Sequence, residues 1–256
     1  MWKDKDVLLR VEDLSRVFYR ENGRELWACK NISFSLQKGE TLAIVGESGS
    51  GKSTLMKLIM RMLPVTSGAI YFKNRDWLAL SGGELRKARP GMQMVFQHPI
   101  AACDPRMNVS HIICEPLRNY RQVGKLEGQQ IARQLLEQVG LDESFLRRYP
   151  HEMSGGQCQR VAIARALVLE PDLLICDEAT SALDMSVQDG IAKLLVRLQK
   201  ERGVSYLFVC HDIALAQSIS HRMLVMHDGQ VVEVLPSKQW REASNPYTKK
   251  LIEASL

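Results

Sequence analysis

The sequence lacks the long apolar runs that cross membranes. No stretch of it approaches the roughly 20 consecutive apolar residues of a spanning helix. Residues 1–6, Met-Trp-Lys-Asp-Lys-Asp, also lack the apolar core of a signal peptide. We therefore expect the chain to stay in the cytosol and to reach any membrane through a partner.

Paired cysteines and basic tracts are missing as well. The six cysteines, at positions 29, 103, 114, 158, 176 and 210, include no C-x-x-C pair, which argues against a metal centre or a disulfide framework. The net charge of +5 is modest and comes without a basic tract, so nucleic-acid binding is not expected. With 256 residues, 45% of them hydrophobic, the chain is long enough to bury a sizeable core.

The chain does contain a complete G-x-x-x-x-G-K-[ST] motif. This pattern is typical of a loop whose backbone N–H groups cradle phosphates, with Lys52 reaching the β- and γ-phosphates and the Ser53 hydroxyl binding Mg²⁺. Residues 41–45 predict a buried strand before the loop, and residues 55–62 predict a helix after it. The alternative is a glycine-rich turn without a ligand. The predicted nucleotide-binding residues are Gly46, Glu47, Ser48, Gly49, Ser50, Gly51, Lys52, Ser53 and Thr54.

A second motif is needed because kinases, GTPases and transport ATPases share this loop. The run Leu-Leu-Ile-Cys-Asp-Glu at 173–178 predicts a buried strand that delivers two acids to its C-terminal edge. Asp177 would hold the Mg²⁺ shell, and Glu178 would polarise the attacking water. Taken alone, the run is equally compatible with a core strand that ends in a solvated acidic turn.

The third motif, Met-Ser-Gly-Gly-Gln at 153–157, precedes an apolar helix predicted for 161–168. A serine and two glycines at a helix N-terminus make a second anion site. One triphosphate does not need two such sites, so the second makes sense if it grips the γ-phosphate of a nucleotide held by a different subunit. A plain N-cap would explain the serine but not Gln157, Gln159 and Arg160. The residues of this predicted site are Ser154, Gly155, Gly156 and Gln157.

The order of these motifs resembles the ATP-binding cassette family over nearly the whole chain, from about residue 8 to residue 252. The resemblance extends to Gln97 after the strand 93–96, to Ser-Ala-Leu-Asp at 181–184, and to His211 after the apolar run 206–210. It implies that Gln97 senses Mg²⁺ and the permease, and that His211 contacts the γ-phosphate and the attacking water. It also places Asp184 among the nucleotide-binding residues.

The resemblance further implies that adenine stacks on an aromatic side chain near the N-terminus. Counted from Asp13, the family pattern favours Phe18 over Tyr19. The alternative is that either aromatic is a strand residue that packs on its neighbour.

Shorter motifs narrow the resemblance to the ATPases of peptide and nickel importers. Taken alone, these motifs would indicate only loops and helix caps, because their prolines break helices. The chain stops at Leu256, soon after the last of these motifs, whereas oligopeptide importer ATPases commonly continue further. A metal or metallophore cargo is therefore at least as well supported as an oligopeptide cargo. These motifs are His-Pro at 98–99, Asp-Pro-Arg-Met-Asn-Val at 104–109, Glu-Pro-Leu at 115–117, Tyr-Pro-His-Glu at 149–152 and Asn-Pro-Tyr-Thr at 245–248.

The predicted fold is α/β: a phosphate-loop NTPase core with a parallel sheet, an N-terminal antiparallel β subdomain and an inserted helical lobe at about 99–169. We expect one ATP-binding domain spanning 1–256. The loop after Gln97, roughly 98–117, is expected to receive a short permease helix. Its apolar candidates are Ile100, Met107, Val109 and Ile112, which could instead simply pack the lobe.

By this resemblance the chain is an ATPase that uses ATP and Mg²⁺ to energise import of peptides, nickel or metal–metallophore complexes. It would lie at the cytoplasmic face of the cell membrane. Its partners would be two permease subunits, a second ATPase subunit in a head-to-tail dimer, and an extracytoplasmic solute-binding protein. The alternative is a soluble cassette ATPase that is not tied to a permease.

Overall fold

The computed structural model describes residues 6–19, 23–97, 103–121, 123–179 and 184–254. The strands are β1 (Val7–Tyr19), β2 (Glu25–Gln37), β3 (Thr41–Val45), β4 (Ser67–Phe72), β5 (Arg75–Asp76), β6 (Met92–Val95), β7 (Leu173–Asp177), β8 (Ser205–Val209), β9 (Arg222–His227) and β10 (Gln230–Pro236). The α-helices are α1 (Lys52–Ile59), α2 (Gly82–Ala88), α3 (Val109–Tyr120), α4 (Lys125–Gln138), α5 (Gly155–Leu167), α6 (Met185–Arg202), α7 (Ile213–Ile219) and α8 (Pro246–Glu253).

Two sheets organise these elements. The central sheet has the strand order β10-β9-β3-β8-β7-β6, with β10 antiparallel to β9 and every other neighbouring pair parallel. Strands β3, β7 and β8 are buried along their whole length, as parallel strands covered on both faces must be. The second sheet, β2-β1-β4-β5, is antiparallel. The predicted parallel core and N-terminal antiparallel sheet are thus confirmed.

Helices α3, α4 and α5 lie between β6 and β7 in the chain, inside the predicted 99–169 segment. Their side chains, such as Ile113, Leu136 and Ile163, share one buried apolar cluster with Leu174 and Phe208 of the central sheet. Full burial of such a side chain stabilises the fold by about 1.5–3 kcal/mol, so this cluster holds the helices on the sheet. The bounds of a separate helical lobe, about 99–169, and the single domain over 1–256 stay predictions. No helix within the described ranges has the length and apolar character needed to cross a membrane.

Element boundaries differ from the predicted ones where capping chemistry decides. The helix after the phosphate loop was predicted for 55–62, but α1 begins at Lys52, directly after Gly51, whose left-handed conformation at the N-cap suits glycine. It ends at Ile59, two residues before Arg61 adopts a left-handed φ of 54°. Helix α5 begins at Gly155 rather than at residue 161, because Ser154 caps it.

Candidate nucleotide-binding site

The phosphate loop joins β3 to α1 and lies tightly against neighbouring backbone. A Cβ atom on Gly46 would lie 2.1 Å from the Met226 carbonyl oxygen, and one on Gly51 would lie 2.2 Å from the Ala28 carbonyl oxygen. Both glycines also have positive φ angles, 147° and 102°, which other residues rarely adopt. Only glycine therefore fits at either position, and the loop is held between β2 and the end of β9.

The Lys52 side chain folds back onto the phosphate loop and is only 4% exposed. Its ammonium donates to the carbonyl oxygens of Gly46 and Glu47, each at 2.7 Å, and to Ser50 Oγ at 3.3 Å. Burial lowers the pKa of Lys52, while the nearby Glu178 carboxylate opposes that shift. The predicted phosphate-binding cation is thus already placed inside the loop.

Ser53 and Asp177 meet at the start of α1, where a magnesium ion was predicted. Ser53 Oγ donates to Asp177 Oδ1 at 3.1 Å, and Asp177 is only 7% exposed. Burial raises the pKa of Asp177, although the Ser53 hydrogen bond lowers it in part. A hydroxyl and a carboxylate side by side are the oxygen ligands that Mg²⁺ prefers, and a cation would offset the cost of burying the carboxylate. The two residues therefore fit a magnesium ion.

The three predicted catalytic side chains come together at one edge of the central sheet. Gln97 Nε2 donates to Glu178 Oε2 at 2.7 Å, and Nε2 of His211 lies against the other oxygen, Oε1. Glu178 directly follows β7, and His211 comes shortly after β8. These strands are parallel neighbours, so their C-terminal ends share one edge. Residues far apart in sequence are thereby in contact.

The backbone of Glu178 is unusual. Its φ is 49°, a left-handed conformation that costs a non-glycine residue on the order of 1 kcal/mol or more. A hydrogen bond from Glu178 N to the Val209 carbonyl oxygen, 3.0 Å long, holds this conformation. The turn directs the carboxylate toward Gln97 and His211 instead of continuing the strand.

The Ser-Gly-Gly-Gln segment forms the N-terminus of α5. Ser154 Oγ accepts from Gln157 N at 3.3 Å, and Gln157 Oε1 accepts from Ser154 N at 2.9 Å, which completes a capping box. Arg160 Nη1 donates to the Val139 carbonyl oxygen at 2.6 Å. The expectation that an N-cap leaves Gln157, Gln159 and Arg160 unexplained is therefore wrong for Gln157, whereas the Arg160 contact lies outside the cap. Ser154 and Gly155 are exposed, so this helix N-terminus is open to a ligand from outside the subunit.

Asp184 is the N-cap of α6. Its Oδ1 accepts from Ser186 Oγ at 2.7 Å and from Val187 N at 3.0 Å, and these bonds hold the pKa of Asp184 below its ordinary value. A Cβ on Gly156 would lie 2.5 Å from Val187 Cγ1, so the start of α6 packs against the start of α5. Two predicted segments lie outside the described residues: Ser181, Ala182 and Leu183 before Asp184, and His98, Pro99 and Ile100 after Gln97.

Phe18 lies on β1, in the hairpin that β1 forms with β2. The Arg16 guanidinium lies 4.6 Å from the centroid of its ring. Arg16 pairs with Cys29, whose Sγ lies 3.8 Å from the Gly51 carbonyl oxygen. Tyr19 is 72% exposed and, one residue along the strand, points to the other face. Phe18 is favoured over Tyr19 by the family resemblance alone, and adenine stacking on Phe18 stays a prediction.

One residue that contacts the loop was not among the predicted site residues. Tyr247 accepts a hydrogen bond from Glu47 N at 3.1 Å through its hydroxyl. The motif that contains it, Asn-Pro-Tyr-Thr at 245–248, drew attention only through the family resemblance. The motif was the available signal, but nothing in it indicates which part of the chain its tyrosine contacts.

Comparisons with known proteins show the family of this chain. A family model described as ABC transporter matches residues 29–181. The chain is 44% identical over 257 residues to a probable peptide ABC transporter ATP-binding protein of Sinorhizobium fredii, covering 98% of this chain and 73% of the relative. It is 42% identical over 264 residues to the oligopeptide transport ATP-binding protein OppF of Salmonella typhimurium, covering 98% of this chain and 78% of that relative.

A third relative and a solved structure complete the comparison. The glutathione import ATP-binding protein GsiA of Salmonella paratyphi A is 48% identical over 259 residues, which cover 97% of this chain but 41% of that longer protein. An ATP-binding cassette solved as a dimer in a post-hydrolysis state with ADP and Pi matches with a TM-score of 0.81 at 30% identity, covering 90% of this chain and 99% of that one. The chain therefore belongs to the ABC transporter family, as an ATP-binding and ATP-hydrolysing subunit.

Proposed function

We propose that this subunit hydrolyses ATP to energise the import of peptides or peptide-like molecules across the cytoplasmic membrane. The observation that carries the proposal is the meeting of Gln97, Glu178 and His211 beside the buried Lys52. The relatives named above, for peptides, oligopeptides and glutathione, support a peptide cargo. Nickel and metal–metallophore cargoes stay predictions.

In this proposal each side chain has a distinct task. The Lys52 ammonium has three N–H donors, so it can keep the Gly46 carbonyl and turn the others to the β- and γ-phosphates, which are stronger acceptors because they are charged. Ser53, Asp177 and Gln97 would hold Mg²⁺, which neutralises charge on the phosphates. Glu178 accepts a proton from the attacking water, while His211 and Gln97 hold its carboxylate in place. Each carboxylate oxygen of Glu178 has one contact and a second lone pair that can accept from the water.

The exposed N-terminus of α5 is proposed to serve a second subunit. Ser154, Gly155, Gly156 and Gln157 would bind the γ-phosphate of an ATP held on the phosphate loop of the partner cassette, with Asp184 nearby. Two cassettes would then close head to tail around two ATP molecules. Binding energy from closure would drive the permease, and hydrolysis would reopen the dimer.

The permease is proposed to dock in a groove between β6 and the helices that follow it. The groove has a volume of about 160 Å³ and is lined by Gln93, Phe96, Glu115, Tyr120 and Arg165, among others. Arg165 Nη2 donates to Glu115 Oε2 at 2.9 Å within it. Because Phe96 immediately precedes the predicted magnesium sensor, a helix in this groove could transmit its position to the catalytic edge.

The groove replaces the apolar docking surface expected from the sequence. Val109 and Ile112 are buried in the core, and Met107 is partly buried against it, so these side chains pack the protein interior. Ile100 lies outside the described residues. Two permease subunits and an extracytoplasmic solute-binding protein complete the proposed complex, which places this subunit on the cytoplasmic face of the membrane.

A charge in the groove should separate docking from nucleotide binding. We expect Tyr120→Glu to reduce co-purification with the permease from solubilised membranes at least tenfold, because aromatic anchors at interfaces each contribute about 2 kcal/mol or more. ATP affinity of the isolated subunit should not change. Tyr149→Glu is the matched control, since both tyrosines are 37% exposed and Tyr149 does not line the groove. Equal co-purification of both variants would exclude the groove as the docking site.

The importer itself can be tested by isolating the subunit from membranes with its associated proteins. We expect a permease pair and a solute-binding protein, and ATP turnover that rises when the binding protein is loaded with a peptide. Mass spectrometry of the ligand released from the binding protein would identify the cargo. An active ATPase that purifies without any permease would instead support the soluble cassette alternative.

A further inference from the structure

The Asn-Pro-Tyr-Thr motif at 245–248 has no role in the proposed mechanism. It forms the start of α8, with Asn245 as N-cap and Pro246 in the first turn. Asn245 Oδ1 accepts from Tyr247 N at 2.8 Å, and proline suits this position because its missing N–H would have no partner there. The motif therefore sets where α8 begins and from which point the tyrosine side chain extends.

The start of α8 is fixed to the central sheet by Glu233 on β10. Its carboxylate accepts from Ser244 N at 2.7 Å, from Ser244 Oγ at 2.8 Å and from Asn245 N at 3.3 Å. Burial alone would raise the pKa of Glu233, but hydrogen bonds, including those from Ser244 and Asn245, hold it below its ordinary value. The carboxylate thus stays charged at neutral pH and keeps this anchor in place.

The Tyr247 ring is held in a fixed position over the phosphate loop. It stacks on the His227 ring, with centroids 3.9 Å apart and an angle of 25° between the planes. His227 is the last residue of β9, which pairs with β3, the strand that leads into the loop. From this position the tyrosine hydroxyl accepts the hydrogen bond from Glu47 N.

That hydrogen bond holds one end of a peptide group whose other end holds Lys52. The Gly46 carbonyl and the Glu47 N–H belong to the same planar peptide unit. The carbonyl accepts from Lys52 Nζ at 2.7 Å, and the N–H donates to Tyr247 at 3.1 Å. Because the unit is rigid, any rotation of it would disturb both contacts together.

The rest of the loop is supported by backbone, so the tyrosine hydroxyl can be removed without disturbing those contacts. Gly229 N donates to the Ser50 carbonyl oxygen at 3.1 Å, and Gly46 lies directly against the Met226 carbonyl. Neither contact involves a side chain of α8. Removing the Tyr247 hydroxyl therefore tests the orientation of the Gly46–Glu47 peptide alone. The backbone contacts from Gly229 and Met226 still support the loop.

We propose that Tyr247 is a positioning residue of the nucleotide site, which orients the Gly46–Glu47 peptide and through it the ammonium of Lys52. It acts on the phosphates only through these two groups. The inference rests on the proposed role of the phosphate loop in binding ATP. It adds a residue about 200 positions away in the chain to the group that sets ATP affinity.

The first test is Tyr247→Phe, which keeps the ring and its stacking but removes the acceptor. We expect ATP affinity to fall about three- to tenfold, the range that one neutral hydrogen bond allows. The turnover number at saturating ATP should stay within about twofold, because no catalytic group changes. Tyr71→Phe, which removes a hydroxyl from β4, is the control and should bind ATP like the wild type. Affinities are compared well below the melting temperature of each variant, so that lost stability cannot mimic weaker binding.

A double-mutant cycle with Lys52→Ala separates positioning from a general structural effect. If the hydroxyl acts through Lys52, then adding Tyr247→Phe to Lys52→Ala should change ATP affinity less than about twofold. Unchanged affinity in Tyr247→Phe alone would overturn the proposal, as would an equal loss in both backgrounds or a parallel fall in turnover number. A wild-type subunit that does not bind ATP would contradict the proposed function instead.

Discussion

Replacing Glu178 by glutamine should lower ATP hydrolysis by the assembled transporter at least a hundredfold, because a positioned general base contributes on the order of 10²- to 10⁴-fold. Glutamine keeps the size and shape of the side chain. Its oxygen can still accept from Gln97 and its amide can still face His211, so the arrangement at the sheet edge survives while the base is lost. ATP should still bind, and the closed, ATP-bound dimer should accumulate.

The measurement is turnover of phosphate in the reconstituted transporter beside ATP affinity of the isolated subunit. Glu170→Gln is the control. Its carboxylate pairs with Arg121 and is largely exposed, and exposed ion pairs of this kind contribute little to stability. Near-normal turnover in Glu178→Gln, with Glu170→Gln also active, would remove Glu178 from the catalytic assignment.

The parts of the site that the sequence predicts are those whose signal is local. The phosphate loop, the strand before it and the acidic strand at 173–177 are each contained in a few consecutive residues. Parallel strands buried on both faces read as continuous apolar runs, which is why β3 and β7 lie where expected. That Gln97, Glu178 and His211 meet depends on the order β8-β7-β6 in the sheet. No local pattern encodes that order, so the family resemblance had to supply it.

Contacts between distant segments are the part that sequence reasoning missed. The Tyr247 hydroxyl and Glu47 N join residues 200 positions apart, and no periodicity connects them. The choice between Phe18 and Tyr19 likewise depends on which face of a hairpin is turned to the loop. The β1–β2 register shifts between Arg16 and Val17, so counting residues alone does not settle that face. Tertiary packing decides the first case, and the aromatic that stacks on adenine stays a prediction.

Replacing Lys52 by alanine should lower ATP affinity about ten- to a hundredfold. A hydrogen bond to a charged group is worth about 1.5–3 kcal/mol, which corresponds to that range. The loss comes from a cation that is already inside the loop, held by the carbonyl oxygens of Gly46 and Glu47. Calorimetry with the isolated subunit measures the change directly, and a thermal melt of each protein checks that the variant is folded.

Lys57→Ala is the control for Lys52→Ala, since it removes an exposed lysine from the last turn of the same helix and should bind ATP nearly as well as the wild type. The pH dependence gives a second check. Burial lowers the pKa of Lys52 in the free subunit, so its ammonium loses a proton at a lower pH than an ordinary lysine. Wild-type ATP affinity should begin to fall as the pH rises through that lowered pKa, and Lys52→Ala should lack this alkaline decrease. Equal affinity in the variant and the wild type at neutral pH would show that Lys52 does not bind the phosphates.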